Sequence, residues 1–151
     1  MLPRNSHVRT SRPLAVSHSR IGGVANDLTP AALALLRDFV DRYPKILADW
    51  FNLMRRNRIW MDRNVGIGTL TQEEAITLGM RGPNLRASGV AHDIRRFEPY
   101  LKYADLDFTI PMRTEGDSWA RYLVRMEEMQ QSLSIIRQCL ERMPEGAIRN
   151  E

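Results

Sequence analysis

The sequence holds a single cysteine, Cys139, among its 151 residues. No internal disulfide can form, and a reducing compartment is the default for such a chain. Histidine is nearly as scarce, and two of the three, His7 and His18, fall within the first 20 residues, leaving His92 alone in the remainder. One thiol and three imidazoles do not supply a zinc or iron–sulfur ligand set. Long apolar runs are missing as well. Uncharged stretches reach nine residues, as in Leu28 to Leu36, against the ~20 apolar residues that a membrane-crossing helix needs. There is no Walker P-loop, and Gly66-Ile67-Gly68 lacks the third glycine of a dinucleotide-binding turn.

Acid is absent from the first 20 residues, which carry Arg4, Arg9, Arg12 and Arg20 and so hold the entire formal charge of +4. The rest of the chain is neutral. Basicity belongs to a tail rather than to a binding face, which argues against nucleic acid as a partner. The Arg- and Ser-rich start has the composition of an organellar transit peptide, but Pro3 and Pro13 interrupt the amphipathic helix such a peptide uses. Residues 1–19 read as a disordered basic tail.

What is present fits a helical domain, with 43% hydrophobic and 26% charged residues in a one-domain length. Thr29-Pro30 has the form of an N-cap followed by a proline at the first helical position. Leu33, Leu36, Phe39, Val40 and Tyr43 follow at helical spacing, and the series resumes after Pro44 with Ile46, Leu47, Trp50, Phe51 and Met54. This predicts one kinked helix or two stacked ones over 30–57. Val65 to Leu70 reads as a short strand. Thr71 with Glu74 forms a capping-box pattern, opening a brief helix that ends near Gly79. Residues 80–111 show little periodicity and read as a long functional or partner-wrapping loop, with an isolated strand over Leu106 to Ile110.

The clearest pattern is the last. After the N-cap candidate Asp117 come Trp119, Leu123, Met126, Met129, Leu133, Ile136, Leu140 and Met143 at steps of three and four. They predict a helix about 40 Å long, stopped by Pro144 and Gly146. A helix of this length needs partners along its whole length to hide that stripe, and the one other long helix covers one side of it. Cys139, close to the apolar seam, reads as a buried small hydrophobe. Arg125, Glu127 and Glu128 read as a polar face or as contacts to a neighbouring protein of an assembly.

Two segments carry a family pattern: GMRGPNLRASGVAHDIRRFEPY from Gly79, and GDSWARYLVRMEEMQQSLSIIRQCL from Gly116. With RIGGVANDL from Arg20 and NRIWMDRNVGIGTL from Asn57, in the same order, they closely resemble the D-type subunit of NADH-quinone oxidoreductase. That is the large hydrophilic quinone-site subunit of respiratory complex I. The resemblance covers about residues 20–149 and begins where the basic tail ends. The chain therefore divides into 1–19, unmatched, and 20–151, a partial domain like that large subunit.

The resemblance implies a mainly α fold, a long-helix bundle segment of the type found in nickel–iron hydrogenase large subunits, with a small β and irregular loop region. It implies a place in electron transfer from NADH to quinone, beside the chamber where quinone is reduced. The implied partners are the iron–sulfur cluster-bearing subunit, the other peripheral-arm subunits, and quinone as substrate. NADH, FMN and the clusters would sit on those partners, with no cofactor and no metal on this chain. Contact with the membrane would be indirect, on the cytoplasmic side of a bacterial inner membrane or the matrix side in an organelle.

The family's His and Tyr at the quinone headgroup lie in an N-terminal part that has no counterpart here, and Ala15 stands where the family has a His near the cluster. Ser118 replaces a Cys common in the family. Arg20 is the first matching residue and resembles the arginine flanking the quinone chamber. No residue is expected to be catalytic in this chain alone. The simplest account is a middle segment of the large subunit preceded by unrelated residues. Gly82, Pro83 and Gly89 are expected to fix turns that bring the loop backbone close to a neighbour. Arg86, Asp93 and Arg95 are expected to form an ion-pair network that locks the loop to the long helix, and together these six mark a structural or interface loop. His92 beside Asp93 suggests a dyad, yet no nucleophile is placed near it. A non-catalytic helical interaction module is the alternative of a different class, and a hydrogenase-like large-subunit fragment is a third. The missing CxxC pair weakens the third.

Overall fold

The computed structural model describes residues 19–20, 23–24 and 26–148. The tail expected over 1–19 lies outside them apart from Ser19. Two short strands, β1 (Ser19–Arg20) and β2 (Gly23–Val24), pair antiparallel, with Ser19 opposite Val24 and Arg20 opposite Gly23. The Val24 N–H also donates to the Ile148 carbonyl at 3.0 Å, so the two ends of the described chain meet.

Helix α1 runs over Pro30–Arg56. The Thr29 hydroxyl accepts from the Ala32 N–H at 3.2 Å, and Pro30 occupies the first turn, where its missing N–H costs nothing. Pro44 does not divide it; α1 is a single helix through that position. α2 (Arg58–Asp62) follows, capped by Asn57. Residues 65–70 form turns and bends instead of the expected strand. Gly66 and Gly68 take φ of +69° and +63°, left-handed values that a strand cannot contain. The capping box forms as expected and opens α3 (Gln72–Thr77).

The stretch expected to be irregular contains two single-turn helices, α4 (Pro83–Arg86) and α5 (Ile94–Phe97), and a 3-10 turn over Tyr103–Asp105. Elements this short carry too few apolar repeats to register as periodicity. Leu106 to Ile110 has no strand partner among the described residues. Its Leu106 and Phe108 are nevertheless buried, and Asp107 and Thr109 are tied to side chains of the last helix. The Asp107 N–H donates to Gln138 Oε1 at 2.9 Å and the Thr109 N–H to Gln131 Oε1 at 3.0 Å. Those bonds take the place of the missing ladder.

Helix α6 spans Ser118–Glu141, so Met143 falls beyond the helix that the apolar pattern included. It packs antiparallel to α1: Asp41 lies near Arg137, the Tyr43 hydroxyl reaches Met129 Sδ at 3.6 Å, and Leu47 and Phe51 face Leu123 and Met126. Val40 and Leu47 are fully enclosed on the α1 side. On another face of α6, Ala120 and Val124 meet Ala87, and all three are buried. These small side chains let the backbone at the end of α4 come close to the helix. α6 is thus clasped by α1 on one side and by the 79–116 segment on another. Cys139 is exposed, contrary to the buried position expected for it, because the seam against α1 runs along neighbouring positions. The chain is mainly α, as expected. No helix among the described residues is long and apolar enough to cross a membrane.

Candidate functional site

The 79–101 loop is placed by its own turns and then locked by charge. Gly82, at φ +59°, turns the chain into α4, with Pro83 at the first helical position. A Cβ at Gly82 would meet nothing within 4 Å, and at Gly89 (φ +91°) only ordinary contacts with Thr114 and Gln72. Both glycines lie in turns, and neither makes a close approach within this chain. That approach is at Gly116, where a Cβ would sit 2.1 Å from the Leu70 carbonyl oxygen.

From α4 the Arg86 side chain runs inward and is only 6% exposed. Its Nη1 donates to the His92 carbonyl at 2.9 Å and lies 3.6 Å from Asp93 Oδ2, while Nη2 pairs with Glu128 on α6. Arg86 Nε is buried without a partner. Asp93, 5% exposed, caps α5 by accepting from the Arg95 N–H at 3.0 Å. The same carboxylate takes both Arg95 Nε (2.9 Å) and Nη2 (2.6 Å) in a two-pronged pair. Arg95 and Arg96 lie over the Phe108 ring at 4.9 and 4.4 Å, and Arg96 also donates to the Phe108 carbonyl at 2.5 Å. Arg86, Asp93 and Arg95 are therefore brought together, and Glu128 ties them to α6.

The Arg95 hydrogen bonds hold the Asp93 carboxyl below its usual range, overcoming the opposing effect of burial, and Asp93 in turn raises the Arg95 guanidinium. Beside this network opens a cleft of about 800 Å³, lined among others by Met80, Arg81, His92, Phe97 and Tyr100. The His92 ring stacks on Phe97, with centroids 5.4 Å apart and an interplanar angle of 10°. Both Asp93 oxygens are committed to Arg95, so the adjacent acid does not orient His92 as a general base, and no dyad exists. The groups here position backbone and neutralise one another. Among the described residues no group of three or more His, Cys, Asp or Glu is disposed to hold a metal.

Arg20 stands apart from the loop in chain order, in β1, where its backbone pairs with Gly23. Sequence reasoning missed Gly116 and Asp117 as a joint. The Asp117 side chain accepts from the Ala120 N–H at 2.7 Å, capping α6, and from the Gly66 N–H at 2.7 Å. Arg121 closes the same corner, donating to the carbonyls of Gly68 (2.6 Å) and Gly116 (2.8 Å). The GDSWAR run carried the only signal, a glycine directly before an N-cap aspartate. Glu127 and Arg125, read as polar face, pair with Arg113 and with Asn84 Oδ1, respectively.

Two long antiparallel helices, a charge-locked loop and a minimal two-stranded sheet make up a mainly α scaffold. A solved structure of the membrane-bound sulfane sulfur reductase, an archaeal respiratory membrane complex, contains a chain with the same architecture. The TM-score is 0.81 at 42% identity, over 87% of this chain and 36% of that one. The model of the family described as the 49 Kd subunit of respiratory-chain NADH dehydrogenase matches residues 7–151, and the chain belongs to that family. The match begins inside the stretch set apart above as a tail. The D-type subunit of NADH-quinone oxidoreductase from Salinibacter ruber is 61% identical over 136 residues, 90% of this chain and 30% of that protein. The first C/D-type subunit of the same enzyme from Aquifex aeolicus is 45% identical over 134 residues, covering 89% of this chain and 23% of that protein. The chain spans about a third or less of the length of these relatives.

Proposed function

We propose that the chain acts as part of the large quinone-site subunit of an NADH-quinone oxidoreductase, as helical scaffold beside the chamber where quinone is reduced. The observation that carries this reading is the Arg86–Glu128–Asp93–Arg95 network, built on the buried Arg86 and Asp93. It fastens the family-motif loop onto α6 and leaves the loop's outer side, with Ile94, Phe97, Tyr100 and Leu101 exposed, free to meet the cluster-bearing subunit. The motif residues Gly82, Pro83, Arg86, Gly89, Asp93 and Arg95 shape that interface and carry no chemistry themselves. Arg20 flanks the quinone chamber. NADH, FMN and the iron–sulfur clusters are carried by partner subunits, and attachment to the cytoplasmic side of the inner membrane, or the matrix side, runs through the complex.

The test is recovery of the tagged chain from cells together with the cluster-bearing subunit. Loss of that association when Phe97 and Leu101 are replaced by Glu supports the loop as the contact. Recovery of the chain without any other protein of complex I overturns the reading. The purified chain alone is expected to show no turnover with quinone, and measured turnover sinks the view that it is scaffold only.

A further inference from the structure

We draw no further inference here: the strongest candidate, the cleft of about 800 Å³ beside Arg86 and His92, is walled by Arg86, Asp93, Arg95 and Glu128, which already pair with one another, and by Phe97 and Tyr100 of the loop face described above, and nothing in the structure shows what covers it.

Discussion

At Gly116 the backbone needs both a left-handed φ of +66° and the absence of a side chain, since a Cβ would overlap the Leu70 carbonyl. Gly82 needs only the first, because space is open around it. Gly116→Ala is therefore expected to cost at least about 2 kcal/mol in urea unfolding, and Gly82→Ala about 1 kcal/mol. Equal losses at the two sites would show that the contact with Leu70 is unimportant. The turn role of Gly82 was readable from its neighbour Pro83. The close approach at Gly116 was not, since Leu70 is remote in sequence. The Asp93 carboxyl offers a second test at this scale. Its folded pKa lies below the unfolded one, so its contribution is complete above the ordinary carboxylate range and is lost as pH falls through the folded value. Unfolding midpoints are expected to drop below pH ~4, and Asp93→Asn is expected to flatten that acid limb while lowering stability at neutral pH. An unchanged acid limb in Asp93→Asn would assign the drop to other carboxylates.

Among the elements, the helices that open with a capping signal were the legible ones. Thr29, Thr71 and Asp117 each cap the helix expected to follow, because a cap is a local interaction spanning three residues. The loop elements escaped notice. α4 and α5 are single turns held by tertiary hydrogen bonds, among them Arg113 N–H to the Arg86 carbonyl at 3.0 Å and Gly116 N–H to the Ala87 carbonyl at 2.9 Å. The expected strand at Val65 to Leu70 failed since its apolar residues alternate with glycines that turn the chain. Asp117 caps α6 and anchors Gly66 at once, so Asp117→Ala is expected to cost about 1–3 kcal/mol. Thr71→Ala, which frees only an exposed short helix, is expected to lower the melting temperature less. The reverse order in thermal unfolding would show that the Asp117–Gly66 link carries little.

For the whole molecule, composition and pattern alone determined a mainly α chain with two long helices, neutral beyond its basic start. The motif order was enough for the family. These properties are local or additive: periodicity, caps and charge are read residue by residue. Only the tertiary structure decided which stripe of each helix is covered. It paired Arg86 with Glu128, committed Asp93 to Arg95 rather than His92, and exposed Cys139. Those outcomes depend on which distant residues meet, and a buried charge is settled by whichever partner the fold brings within hydrogen-bonding reach.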